Sequence, residues 1–256
     1  MTALIVVASA LLGLAVGSFL NVVIWRVPRH ESVVSPPSHC PGCDAEIAPY
    51  DNIPVLSWCI LRGRCRRCGT HISVRYPLVE AGTALLWALL ALRFHDTWAL
   101  PAYLILAAGL VALSLIDLDT YLLPNRIVYP LTAVVVASFG IAAIVGDDGA
   151  SFRRALIGGA CAFAVFLLLH LVSPRGMGFG DVKLSFVLGV SLGWVSGPLV
   201  FLGMFLAFLL GSAIGIILIA TKVRSRRDHV PFGPFLAGGT MLALLVGEPI
   251  LRAVGR

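Results

Sequence analysis

Charge is what this chain has least of. Asp, Glu, Lys and Arg make up 12% of its 256 residues, about half the share of an ordinary soluble domain. Only one long polar insertion, residues 26–77, interrupts the apolar sequence. No repeat at solenoid spacing and no low-complexity tract occurs, which argues against a solenoid array or a disordered linker protein. A glycine-rich strand–turn–helix nucleotide signature is also missing. The net charge of +6 is spread over the ends of apolar runs, with no basic patch interleaved with stacking aromatics, so nucleic acid is not the expected partner. What the chain has in excess is hydrophobic residues, 59% of the total, and these name its solvent as a lipid bilayer.

Apolar runs fall at roughly 3–24, 78–93, 98–116, 127–146, 155–172, 182–196, 198–220 and 234–253, against about 20 residues for a membrane-spanning helix. The expected fold is therefore an all-α polytopic membrane protein with about eight transmembrane helices, the sixth being the shortest. No basic residue precedes the first run and Arg26 and Arg29 follow it, so it reads as an uncleaved anchor with its N-terminus outside. Eight crossings then put 14 of the 19 basic residues in the cytoplasm: Arg26, Arg29, the arginines from 62 to 75, Arg126, Arg175, Lys183, Lys222 and the arginines from 224 to 227. Arg93, Arg153, Arg154, Arg252 and Arg256 stay outside, as the positive-inside rule asks. Trp25, Trp98 and Tyr129, near run ends, suit an interfacial belt.

Two aspartates sit where the bilayer should begin. Asp117 follows the third run, and Asp181 closes the string Gly176-Met177-Gly178-Phe179-Gly180-Asp181 before the sixth. A lone aspartate at a helix end is usually a cap or a solvated charge, but ionisable groups at membrane depth are expensive and point to function. Two carboxyl groups brought together share a proton, giving one base to activate water and one acid to polarise a carbonyl. Asp119 is the rival to Asp117; two positions on, it faces away on any helical continuation. Pro124 ends the local conformation, and Asn125 is placed to cap the next helix. The glycines before Asp181 are expected in a loop where an extended substrate lies against the backbone.

The insertion 26–77 is too short and too polar to build a core unaided. It carries Cys40-Pro41-Gly42-Cys43 and Cys65-Arg66-Arg67-Cys68, two CxxC turns separated by 21 residues, close to the spacing of a four-thiolate structural zinc site. Disulfides or unpaired thiols are the alternatives, and a reducing cytoplasm disfavours the first. Four protein ligands leave no open position for catalysis. Cys59 and Cys161 fall outside the pattern and are expected as buried small apolar side chains; His39 and His71 flank the turns without being needed as ligands.

Five stretches, in order, carry a resemblance: Gly17-Ser18-Phe19-Leu20-Asn21 through Pro28, Pro37-Ser38-His39-Cys40 through Arg75-Tyr76-Pro77-Leu78-Val79-Glu80, the Asp117 motif, Gly176 to Leu184, and Pro231-Phe232-Gly233-Pro234-Phe235. Over nearly its whole length the chain resembles the type IV prepilin peptidases, the bacterial leader peptidases and N-methyltransferases of pilus and type II secretion systems. The resemblance implies that Asp117 and Asp181 are the catalytic pair of a GxGD membrane aspartyl protease, with residues 96–256 as the peptidase domain. Residues 1–95, which hold the first helix, the four-cysteine segment and the second helix, are then the region associated with methylation. The implied reaction is cleavage of a basic leader after glycine from a prepilin or pseudopilin, then N-methylation of the new terminal residue by S-adenosylmethionine. The implied location is the bacterial inner membrane, multi-pass, with the active site facing the cytoplasm. One departure is Asn125, where many relatives carry aspartate.

For the methyl donor the sequence nominates only Glu31, Glu80 and the segment from Asn52 to Arg64, each of which also has an ordinary structural reading. Two residues of the first run have packing readings: Gly17 as a close helix contact and Asn21 as a hydrogen-bond partner for a neighbouring helix. A peptidase without methylation is the alternative function. A carboxylate-dependent transporter is less well supported, since its carboxylates belong near mid-membrane, and a non-enzymatic assembly scaffold would tolerate loss of either aspartate.

Overall fold

In the computed structural model, residues 1–174, 176–222 and 230–254 are described; Arg175, Arg224, Arg226, Arg227 and Arg256 of the charge argument lie outside them. Among the described residues there is no strand, only two isolated bridges, His39 with Glu46 and Arg64 with His71. The helices are α1 (Thr2–Arg26), α2 (Leu56–Ile60), α3 (Arg75–Phe94), α4 (Leu100–Thr120), α5 (Asn125–Val145), α6 (Gly149–Val172), α7 (Phe179–Val195), α8 (Gly197–Ala220) and α9 (Gly233–Val254). All eight predicted runs are helical. Seven of these helices are long and apolar enough to cross a membrane; α7, at 17 residues, sits at the lower limit of about 17 for a span. The chain forms two compact units, Met1–His95 and Asp96–Arg256.

In the first unit α1 packs along α3 through a small-residue stripe, Ser9, Gly13 and Gly17, spaced four apart and buried. A Cβ on Gly17 would lie 2.7 Å from the Glu80 Cα, so the backbones touch, as in small-residue helix pairs in bilayers. Asn21 Nδ2 donates to the Tyr76 carbonyl at 3.3 Å, so the polar residue of the first run does bond its neighbour. At the end of α1 the guanidinium of buried Arg26 donates to the carbonyls of Ser32 and Pro36 at 2.9 and 2.7 Å, tying down the following loop.

The second unit is built around α7, eleven of whose seventeen residues are buried. Its glycine-bearing face meets α6: a Cβ on Gly189 would lie 2.5 Å from the Gly158 carbonyl oxygen. Arg154 Nε donates to the Gly193 carbonyl at 2.9 Å and its Nη2 to that of Val195 at 3.2 Å, a cation on the carbonyl end of α7. Tyr103 of α4 donates to the Ser191 carbonyl at 3.2 Å, and Phe139 of α5 stacks on Trp194 at 4.9 Å. In contrast α8 buries only Leu199, Gly203 and Ala207, the pattern of a helix solvated by lipid.

Two sequence expectations are corrected here. Cys59 and Cys161 are exposed; Cys161 lies off the buried face of α6 that carries Ala155, Gly158, Ala162 and Phe166, and a small apolar side chain suits lipid as well as a core. Asn125 does not cap α5, which has no side-chain cap; its Oδ1 instead accepts from Lys183 Nζ at 2.8 Å, so the side chain is turned toward α7.

Candidate active site

Within the second unit, three chain segments converge on two carboxyl groups. The helix α4 runs past the predicted end at 116 to Thr120, so Asp117 occupies its last turn with its side chain turned inward. Tyr121, in the left-handed region at φ 56°, stops the helix, and its N–H donates to the Asp117 carbonyl at 2.8 Å. Similarly α7 starts before the predicted 182, with Gly178 in extended conformation as its N-cap. Gly180 and Asp181 therefore belong to the first turn of a helix rather than to the preceding loop, and a carboxyl group there meets the positive end of the helix dipole. His170 Nδ1 lies 2.8 Å from the Met177 carbonyl oxygen, fixing the approach to that turn.

Asp117 and Asp181 are only 5% and 7% exposed, and they are close enough for Asp117 to act electrostatically on Asp181. No basic side chain is seen pairing with either of them among the described residues. The third segment is the start of α9: the Gly233 N–H donates to Asp117 Oδ2 at 2.9 Å, a buried bond across 116 residues of sequence. A Cβ on Gly233 would lie 2.7 Å from that oxygen and 3.2 Å from Leu123 Cδ2, while a Cβ on Gly180 would lie 2.9 Å from Leu123 Cβ. Leu123 thus fills the space between the two glycines, and both approaches require a residue without a side chain. Asp119 is exposed, on the other side of α4 from its neighbour. The stretch Pro231–Phe235 carries part of the resemblance, but the sequence does not mark the Gly233 amide as a donor; a glycine followed by proline at a helix start is the available signal.

The first unit holds the second constellation. Both CxxC turns have one backbone pattern: Cys40 N–H to Ala45 O and Asp44 N–H to Cys40 O, then Cys65 N–H to Thr70 O and Gly69 N–H to Cys65 O, all at 2.8–3.0 Å. Each ends on a left-handed residue, Asp44 at φ 56° and Gly69 at φ 73°. The repetition brings the Sγ atoms of Cys40, Cys43, Cys65 and Cys68 within 4.8 Å of one another. The Cys40–Cys68 separation is 3.7 Å, and four sulfurs about 2.3 Å from a tetrahedral zinc stand about 3.8 Å apart, so the donor set fits that ion. The Thr70 hydroxyl and backbone amide hold the Cys68 thiol down to about 6, and the Cys68 and Arg67 amides lower Cys65 as well. At Cys65 and Cys68 the thiolate, the ligand form, is thus supported, whereas Cys43, despite the Ala45 amide that lowers it, is pushed up to about 11 by its hydrogen bonds with the other thiols and by burial. The imidazoles of His39 and His71 are not part of the cluster.

The remaining nominated residues meet at a cavity of about 910 Å³ confined to this unit, whose wall includes Glu31, Glu80, Asn52 and Trp58. Glu80 does not pair with an arginine; its Oε2 accepts the Val55 N–H at 2.6 Å. The cavity is also flanked by Asp51, which the bidentate Arg66 guanidinium at 2.6–3.0 Å holds below the usual carboxylate range.

Residues 11–94 match the family described as Bacterial Peptidase A24 N-terminal domain, and residues 104–219 match the Type IV leader peptidase family. A Pseudomonas aeruginosa protein named prepilin leader peptidase/N-methyltransferase is 39% identical, over 96% of this chain and 92% of its own length. Proteins of the same name from Stutzerimonas stutzeri and Aeromonas hydrophila are 37% and 39% identical, over 96% and 94% of this chain and 92% and 91% of their own. No solved structure matches. With both halves of the chain matched in order, and relatives aligned across nearly their full length, the chain belongs to the type IV leader peptidase family.

Proposed function

We propose that this protein is a prepilin leader peptidase and N-methyltransferase of the bacterial inner membrane, and that Asp117 and Asp181 are its catalytic dyad. The observation that carries the peptidase reading is the pair of buried carboxyl groups at the end of α4 and the start of α7, one of them held by the Gly233 amide. A pair that shares one proton can take a proton from water with one carboxylate while the other gives a proton to the scissile carbonyl oxygen. Collapse of the tetrahedral adduct then breaks the C–N bond, with the proton returned to the leaving amine. The basic residues flanking the helices support a cytoplasmic dyad, on the side where the basic leader of a prepilin or pseudopilin stays while its apolar stem lies in the bilayer.

Methyl transfer is chemically separate. The neutral N-terminal amine attacks the methyl carbon of S-adenosylmethionine; the N–C bond forms, the C–S bond breaks, its electron pair stays on sulfur and the amine sheds a proton to water. Orientation of amine and sulfonium is what the protein must supply. Cys40, Cys43, Cys65 and Cys68 would hold a structural Zn²⁺ that pins the two hairpins of the first unit.

The test is purified protein with a synthetic prepilin, analysed by mass spectrometry with and without S-adenosylmethionine. Leader loss in both arms, and a mass gain equal to one methyl group replacing one hydrogen only with the donor, is the expected result. Asp181→Asn is expected to lose cleavage yet methylate a pre-cleaved pilin. Cleavage without any methyl gain by the wild type would leave a peptidase alone.

A further inference from the structure

The dyad accounts for hydrolysis and leaves the expected cleavage after glycine unexplained. One side chain stands beside both carboxyl groups without being able to share in their chemistry. Leu123 follows the left-handed Tyr121 that stops α4 and precedes Pro124, which confines it to extended backbone. Pro124 is the N-cap of α5, and its carbonyl accepts the Ile127 and Val128 amides at 2.9 and 3.0 Å. The side chain is therefore held on a short link between two helices. Its branches reach the neighbours of both catalytic groups. A Cβ on Gly180, next to Asp181, would lie 2.9 Å from Leu123 Cβ and 3.2 Å from its Cδ1, and a Cβ on Gly233, whose amide holds Asp117, would lie 3.2 Å from its Cδ2. Leu123 is only half-buried, so part of it is left as a wall that another chain can meet. Leu122, by contrast, is 61% exposed and is not among the neighbours nearest either glycine.

The protein's own backbone passes Leu123 beside each carboxyl group as glycine. A substrate must bring its scissile carbonyl within hydrogen-bond reach of the same two groups, about 2.6–3.2 Å, so its backbone becomes a third chain at the same wall. The Cα of the residue before the scissile bond is bonded directly to that carbonyl, and a Cβ on it meets the limit that Gly180 and Gly233 already meet. We propose that Leu123 is the specificity-determining residue of the peptidase: its branched side chain occupies the space such a Cβ needs, so glycine is accepted and alanine refused. This inference rests on the peptidase half of the reading above, and it deepens that reading by assigning leader specificity to one side chain.

The experiment uses the full chain in detergent and two synthetic prepilins, one with the glycine-ending leader and one with alanine in that place, and reads the ratio of their kcat/KM values. Wild type is expected to favour glycine by about 10- to 200-fold, the worth of one methyl-sized group at a packed wall. Leu123→Ala is expected to narrow that ratio about tenfold or more, chiefly through faster cleavage of the alanine prepilin. Leu122→Ala is expected to keep the wild-type ratio. A side chain that only supports the fold would slow both prepilins by one factor when truncated; a wild-type ratio in Leu123→Ala therefore overturns the assignment. Should Leu123→Ala fail to fold, Leu123→Val, which draws both methyls back by one bond, is expected to narrow the ratio about threefold, and an unchanged ratio there overturns the assignment equally. Wild type that cleaves both prepilins at one rate overturns the assignment alone; wild type that cleaves neither overturns the peptidase reading and the assignment with it.

Discussion

Replacing Gly233 by alanine separates the chemistry of the dyad from the stability of the helices around it. The new Cβ would lie 2.7 Å from Asp117 Oδ2, closer than a carbon and an oxygen can stand, so the carboxyl group must turn away. Turning it is cheap for the fold, because the carboxyl is the far end of a flexible side chain. The same movement breaks the 2.9 Å bond from the Gly233 amide. A hydrogen bond to a charged group is worth about 1.5–3 kcal/mol, and about 1.4 kcal/mol is tenfold in rate. Gly233→Ala is therefore expected to lower kcat/KM for prepilin cleavage by about 10- to 150-fold while the thermal midpoint stays near wild type. Gly178→Ala puts a Cβ 3.3 Å from Asp181 Oδ2, a contact relieved by a few tenths of an ångström, and is expected to cost about fivefold or less. Gly215→Ala, with nothing within 4 Å, is the control. Equal rates for Gly233→Ala and Gly215→Ala in a detergent cleavage assay would refute the claim that the Gly233 amide sets the position of Asp117.

Three further outcomes follow from the first unit and the α7 end. Elemental analysis is expected to find one Zn²⁺ per chain, and Cys43→Ser to lose it and expose the remaining thiols to alkylation; a fully active, metal-free preparation with four alkylatable thiols would oppose this. Lowering the pH is expected to release the metal, since protons compete for the thiolates, with the loss read by a chromogenic chelator. Gly17→Ala drives a Cβ to 2.7 Å from the Glu80 Cα; as backbone cannot swing aside, about 1–3 kcal/mol of stability is expected to go, measured as a lowered thermal midpoint.

The helices were legible because a bilayer demands long apolar runs, and all eight runs are helices. Their ends were less so. Sequence stops α4 at 116 and begins α7 at 182 because hydropathy falls at each aspartate, whereas hydrogen bonding carries both helices through these residues and brings Asp117 and Asp181 to inward positions. The four cysteines could be paired in advance because each hairpin is local. Contacts that span long separations left no local trace: Gly233 on Asp117, Val55 on Glu80, and Lys183 drawing Asn125 away from a capping role. The burial expected for Cys161 failed because a small apolar side chain is at home on either side of a helix in lipid, and that of Cys59 failed because the five-residue α2 buries only Ser57.

The most direct measurement is the prepilin cleavage rate of Asp117→Asn, Asp181→Asn, their double variant and Asp119→Asn, each first checked for wild-type helical content by circular dichroism. If the two carboxyl groups act as one unit, each single variant falls to the same floor, the double variant is scarcely lower, and Asp119→Asn cleaves at the wild-type rate. Normal cleavage by Asp117→Asn together with its loss in Asp119→Asn would contradict the account.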